Sequence, residues 1–320
     1  MKLISTFILL FISSCCFAQK ADVYFLRNDG KYTFQRDSAD YFRLVSEPDS
    51  GSTLYNVSEL YKNGNKKLLG KSSTIDPPRY EGSCATFYSN GKRKSLCNYK
   101  NGHLSGTFYE FYPNGKLYLE LKYPENGDEY NDLKDNYQVI TNYDSTGTAL
   151  TTVGNGIYKR YNDGFKQIIE SGNVKNGYRD GEFTGSAFDQ KSHYVEKYDN
   201  GILITGTITD ENGTVTTYTK SRATEPQYKG GLSSFYKYLS RKIIYPEGDR
   251  DKNIQGSVIM SFVVEKDGKI SDIKILKSVS HDIDQEAIWV VKNSPNWVPG
   301  TQFGRAVRTV YMMPITFALN

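Results

Sequence analysis

Between about residues 55 and 220 apolar and polar residues alternate over short runs, as in FYSNGKRKSLCNYKNG (Phe87 to Gly102) and FYEFYPNGKLYLELKY (Phe108 to Tyr123). A period of two is that of a strand with one buried face. The runs are punctuated by Asn-Gly at 63-64, 90-91, 101-102, 114-115, 126-127, 155-156, 176-177, 200-201 and 212-213, and by Asp-Gly at 163-164 and 180-181. Both central residues of a type I′ turn need positive φ, which Asn and Gly supply, so these dipeptides predict hairpins. Successive marks from 90 to 126 lie 11, 13 and 12 residues apart. Two strands and two turns then make a unit of about 24 residues, the period of a repeat array. Such a unit cannot bury its own face and needs stacked neighbours. The segment Ala21 to Leu54 has its own Asp29-Gly30 turn and is expected to cap the array with a first hairpin. Irregular hairpins are expected around Asp128 to Thr152 and Asp180 to Ser192, where the pattern loses definition.

After Ser221 the period changes. Leu232, Phe235, Tyr236, Leu239 and Ile243 fall on one helical face that Tyr245-Pro246 ends. IQGSVIMSFVVEKDGKI (Ile254 to Ile270) then alternates and turns at Asp267-Gly268, with Ile270 to Leu276 as the returning strand. Ile283, Ala287, Val290 and Val291 mark a second helix starting near Asp282, and a last strand runs from about Ala306 to Leu319. The order helix, strand, strand, helix, strand predicts a small α+β domain of about 95 residues.

The first residues form a different kind of segment. Lys2 precedes an apolar stretch from Leu3 to Ile12, and Ser13 to Ala18 is a small-residue region with Cys16 and Ala18 at the positions a signal peptidase reads. This is an export signal, giving a division into a leader (1-18), a repeat region (19-222) and a C-terminal domain (223-320). Ile12-Ser13-Ser14-Cys15 also resembles a lipobox, which makes Cys15 a lipidation candidate. A membrane helix needs about 20 apolar residues, and no later run reaches half that. The expected location is the periplasm or cell envelope, with an outer-membrane lipoprotein as the variant reading.

Composition narrows the function classes. Forty basic and thirty-six acidic side chains give a net charge of +4, too small and evenly mixed for nucleic acid. The excess is in 28 Gly and 26 Tyr, residues of turns and strands. Strand tyrosines either pair across the sheet or offer a ladder to a glycan or peptide. His103, His193 and His281 are isolated, and neither a Walker loop, a G-x-S-x-G elbow nor a G-x-G-x-x-G fingerprint occurs. No catalytic, metal or cofactor site is expected, and the protein is read as a non-enzyme.

Export places Cys84 and Cys97 in an oxidising compartment. With a two-residue turn at Asn90-Gly91, Ser89 faces Lys92 and facing residues sum to 181, as do 84 and 97. Counting outward puts Cys84 opposite Cys97 at a non-hydrogen-bonded pair, whose Cβ separation suits the disulfide range of about 3.5 to 4.5 Å. Two small buried thiols would satisfy the same pattern.

Two resemblances add to this reading. LYKNGNKKLLGKS (Leu60 to Ser72) and YPNGKLYLELKY (Tyr112 to Tyr123) resemble the variant MORN repeats of bacterial envelope proteins, which implies a shape and no chemistry. Pro226 through Gly231, Tyr245-Pro246, Ile254-Gln255-Gly256, Phe262-Val263-Val264 with Asp267-Gly268, Asp284 to Ala287, Pro295, Trp297-Val298-Pro299-Gly300 and Pro314-Ile315-Thr316-Phe317 resemble, in order, the TonB C-terminal domain of Bacteroidetes-like proteins. Asn253, where that family usually has glycine, and the charged loop Glu247 to Lys252 depart from it. The fold class is thus a mainly β array of antiparallel, MORN-like hairpins followed by a small α+β TonB C-terminal domain. The resemblance implies docking of outer-membrane TonB-dependent receptors, whose extended TonB box pairs with the last strand. Family members that transduce energy also use an uncleaved membrane helix and a Pro-rich spacer, for which this sequence has a cleavable leader and a repeat array.

Pro314 has no N–H to give a ladder and is tolerated at an edge, so the last strand is expected to be open on one side. Arg308, Thr309, Val310, Tyr311 and Met312, before the proline, are the candidate partner-binding strand. The resulting expectation is an envelope adaptor that supports transmembrane transport, its repeats holding another envelope protein or a glycan. The alternative is a structural scaffold whose TonB-like domain self-associates or caps the array.

Overall fold

The computed structural model describes residues 21-127, 136-187 and 191-319. The leader and Cys15 lie outside the described residues, as do parts of the segments expected to be irregular. By compactness the chain forms two units, Met1–Tyr158 with Val174–Tyr178, and Lys159–Asn173 with Arg179–Asn320. The change of pattern at residue 222 falls inside the second unit.

The first unit is an antiparallel meander whose strands pair in chain order: β1 (Ala21–Leu26), β2 (Tyr41–Ser46), β3 (Tyr55–Tyr61), β4 (Lys66–Ser72), β5 (Tyr80–Phe87), β6 (Arg93–Lys100), β7 (His103–Phe111), β8 (Leu117–Tyr123), β9 (Gln138–Tyr143), β10 (Ala149–Thr152) and β11 (Asn155–Tyr161). The expected first hairpin is different in detail. The Asp29-Gly30 turn forms, but the chain after it makes only a bridge, Leu26 to Tyr32, and the strand that pairs with β1 is β2.

Asn155-Gly156 opens β11 behind a turn at Val153-Gly154, and Asp180-Gly181 lies within the strand Tyr178–Ser186, so these two dipeptides are not turns. The Asn-Gly turns fall into two kinds where the sequence predicts one. At Asn101-Gly102 both residues have positive φ, 55° and 83°, and Lys100 faces His103, the two-residue turn read from sequence. At Asn63-Gly64, Asn90-Gly91 and Asn114-Gly115 only the glycine is left-handed. There Tyr88 N–H donates to Lys92 O at 2.8 Å and Gly91 N–H to Tyr88 O at 2.9 Å, a three-residue loop ending in a glycine bulge. Ser89 therefore does not face Lys92. A register shift between Thr86 and Phe87 restores the sum of 181, and Cys84 does face Cys97. Pro113 fits the first central position of a type I turn, so one loop of this kind was legible in the sequence.

These loops carry the contacts between repeats. The hydroxyls of Tyr61, Tyr88 and Tyr112 donate to the carbonyls of Phe87, Phe111 and Tyr143 at 2.8, 2.6 and 2.9 Å. The amides of Asn90 and Asn114 donate to Pro113 O and Ser145 O. Each turn thus binds the equivalent turn one repeat on, a physical basis for nearest-neighbour stability.

The second unit contains most of β12 (Ile168–Lys175) and β13 (Tyr178–Ser186), with β14 (His193–Asp199), β15 (Ile202–Thr209) and β16 (Val215–Tyr218). Irregularity was expected from Asp180, yet β13 pairs with β14 in continuous register from Gly181↔Tyr198 to Ser186↔His193. Glycines inside these strands have a packing role. A Cβ on Gly185 would sit 2.3 Å from the Tyr194 hydroxyl, and one on Gly206 would lie 2.4 Å from the Tyr218 ring. Each glycine leaves the space its cross-strand tyrosine fills, so the tyrosines here are core residues.

The same unit holds a short strand β17 (Ala223–Thr224), helix α1 (Gly231–Lys242), a turn of helix α2 (Glu247–Asp251) where a charged loop was expected, β18 (Gly256–Val264), β19 (Ile270–Lys277), helix α3 (His281–Lys292), β20 (Gly300–Gln302), β21 (Arg305–Val307) and β22 (Thr309–Phe317). The expected strand from Ala306 is two strands broken at Arg308, the first belonging to a small sheet of order β17-β20-β21. Helix α3 buries Ile283, Ala287, Val290 and Val291 as expected. Its cap is Ser280, whose Oγ accepts from Ile283 N–H at 3.1 Å. In α1 the buried stripe is rotated: Phe235 and Leu239 are buried and Tyr238 half-buried, while Leu232 and Tyr236 face solvent.

Candidate docking edge

Strands β19, β18 and β22 form a three-stranded sheet in that order, so β22 pairs on one side only among the described residues. Nine consecutive pairs join it to β18, from Gly256↔Phe317 to Val264↔Thr309, without a break. Its side chains alternate. Met313, Ile315 and Phe317 enter the core with Val258, Met260, Phe262, Phe235, Ile283 and Val290, whereas Val310 and Met312 are 67% and 61% exposed on the other face. Each fully buried apolar side chain contributes about 1.5 to 3 kcal/mol, which anchors β22 although its second edge is unpaired. Pro314 lies opposite Ile259 inside this edge strand, as its missing N–H requires.

The other edge of the sheet is protected. Strand β19 shifts register twice against β18, Asp272 within it has φ of 48°, and Lys274 and Lys277 are exposed along it. Bulges and lysines are devices that discourage strand addition. The open edge suited to pairing is therefore that of β22.

Of the five candidate residues, Thr309, Val310, Tyr311 and Met312 lie in β22, whereas Arg308 lies just before it. Its guanidinium binds the carboxylates of Glu265, at 3.0 Å, and Asp272. Ser271 and Arg308 together hold the Glu265 carboxyl below its ordinary range, and Glu265 raises Arg308. Arg308 thus ties the start of β22 to the β18–β19 turn, a role the sequence did not reveal because its partners lie 43 and 36 residues away. Burial, with Glu225 and Tyr236 adding to it, raises the Tyr311 phenol.

Trp297 supports the edge from beneath. Its ring meets Phe262 and Tyr311 with centroids 5.3 and 5.5 Å away, and its backbone N–H donates to Gly268 O at 2.8 Å. The Asp267-Gly268 turn is thereby fixed against the segment that leads to β20.

The remaining candidates lie elsewhere. Cys84 and Cys97 are buried, facing and free, the Cys97 thiol directed at Cys84 O at 3.6 Å. His193 contacts Ser186 Oγ at 3.2 Å and His281 opens α3. Among the described residues no group of three His, Cys, Asp or Glu side chains is placed to hold a metal, and no helix is long and apolar enough to cross a membrane.

Over 84 residues, 26% of this chain, the protein is 31% identical to proteins named TonB from two Helicobacter pylori strains, and it spans 28% of the length of each. The solution structure of the Helicobacter pylori TonB C-terminal domain is 22% identical, with a TM-score of 0.22, and the match covers 28% of this chain and 80% of that one. Residues 241–319 match the family of the Gram-negative bacterial TonB protein C-terminal and form a TonB C-terminal domain at the end of this chain.

Proposed function

We propose that the protein is a non-enzymatic cell-envelope adaptor of the periplasm, whose C-terminal domain docks the TonB box of outer-membrane TonB-dependent receptors by adding a strand to β22, in support of transport. The observation that carries this reading is the asymmetry of the sheet: β22 is continuous and open, while β19 is bulged and lysine-bearing. A proline costs least where its nitrogen points away from the partner strand, and by the two-residue period Val310 and Met312 then direct their N–H groups to the same open side. Four to six added hydrogen bonds at about 0.5 to 1.5 kcal/mol each, less the ordering of the peptide, give micromolar affinity.

The test is fluorescence anisotropy with N-terminal peptides of TonB-dependent receptors. The parent should bind, and Val310→Pro, which removes a backbone donor, should not, with circular dichroism checking that the variant is folded. A folded variant that binds as tightly as the parent would show that β22 is not the docking edge. A second reading, a structural scaffold, is favoured by one observation: the β20–β21 hairpin covers tyrosines of β14 and β16. Parent protein that binds no receptor peptide would leave that reading.

A further inference from the structure

Several cations of the C-terminal region are paired, whereas a group on and beside α1 is not. Arg222, Arg305 and Arg308 each hold a carboxylate. Between Tyr228 and Lys242 the sequence carries Lys229, Lys237, Arg241 and Lys242 and not one Asp or Glu. All four line a single surface depression of about 420 Å³, together with Ser234 and Tyr238, and no acidic residue lines it. Among the described residues none of the four cationic groups has an ion-pair or side-chain hydrogen-bond partner.

Arg241 and Lys242 in the last turn of α1 complement the helix dipole. That does not account for Lys229, which precedes the helix, or for Lys237 in its middle. Four like charges around one hollow repel each other, a cost that an occupant of opposite charge removes. The Tyr238 and Ser234 hydroxyls are engaged as donors to Val290 O and Gly230 O, so with the Tyr228 ring beside them the hollow's charged donors are the four cationic groups. Such a set suits an anion with several acceptor oxygens.

We propose that this depression is a binding site for a phosphate-bearing anion, either the headgroup of an anionic phospholipid or a soluble phosphate compound. It lies on α1 and is separate from the β22 edge, so it does not depend on the receptor-docking reading.

Three probes separate the sources with the full chain: inorganic pyrophosphate by calorimetry, and cosedimentation with vesicles of phosphatidylcholine alone or doped with phosphatidylglycerol. Binding to doped vesicles alone identifies a lipid headgroup, and binding to pyrophosphate identifies soluble phosphate as sufficient. At about fivefold per cation, the double variant Lys237→Ala with Arg241→Ala should bind about 30-fold more weakly. Lys274→Ala with Lys277→Ala, the same change of charge on β19, should bind as the parent does. The site is overturned if neither probe binds, if plain phosphatidylcholine binds equally well, or if both double variants behave alike.

Discussion

Phe303 stacks on Tyr194, with ring centroids 5.4 Å apart and planes inclined by 25°. The two residues are 109 positions apart, one at the tip of the β20–β21 hairpin and the other on a hairpin strand read as part of the repeats. Phe303 also meets Tyr218 edge-on, and its N–H donates to Arg222 O at 2.5 Å. The hairpin between α3 and β22 therefore packs on β14 and β16 within the second unit. Phe303→Ala should lower the stability of this unit by about 3 kcal/mol, near the lower end for a buried aromatic. Urea unfolding followed by tyrosine fluorescence should show the loss.

Beneath Phe303 lies a buried ionic group whose titration sets a pH window. Arg222 holds Glu196 through Nε and reaches Glu170 at 2.6 Å, and Arg179 holds Glu170 at 3.0 Å. Burial by itself would raise the Glu170 carboxyl, but the two arginines outweigh it and hold it well below the ordinary carboxylate range. Its stabilisation is complete above the unfolded value of about 4.3 and is lost as pH falls below that. Tyr194 and Tyr218 donate to Glu170 and Glu196, and burial raises both phenols above their ordinary value. Their contribution is complete below about pH 10 and lost as pH rises through the raised values. Urea midpoints should be flat between about pH 5 and 9 and fall on either side. Glu170→Gln should cost about 3 to 5 kcal/mol at neutral pH and flatten the acid limb.

Two glycines with the same backbone demand should respond differently to alanine. Gly213 and Gly268 have φ of 79° and 82°. A Cβ on Gly213 would meet nothing within 4 Å, whereas one on Gly268 would fall 2.0 Å from Trp297 O. Gly213→Ala should cost only the left-handed conformation, about 1 to 2 kcal/mol. Gly268→Ala should cost clearly more and displace Trp297, so near-ultraviolet circular dichroism of the tryptophan band should change in that variant alone.

Cys84 and Cys97 face each other in register, so exported protein is expected to join them. Quantitative thiol labelling should then recover neither cysteine, and recovery of both would mean the pair stays free. With a loop this short the bond should contribute about 3 kcal/mol, measurable as a midpoint shift on reduction.

The sequence by itself determined the element types. Alternation, most of the Asn-Gly marks and the change to a helical period after Ser221 are local, and they are found as hairpins, α1 and α3; Asn155-Gly156 and Asp180-Gly181 instead lie in β11 and β13. The facing of Cys84 and Cys97 was legible too, although the turn that produces it is a three-residue loop corrected by a bulge. What only the tertiary structure decided depends on residues far apart. The stripe of α1 is rotated because Tyr238 reaches Val290 O at 3.0 Å, a contact 52 residues away. The last strand breaks at Arg308 because Arg305 to Val307 pair back to β20, and the unprotected edge is β22 because the bulges fall in β19. Periodicity records which side of a residue is buried. The partner that buries it is chosen by packing across the whole unit.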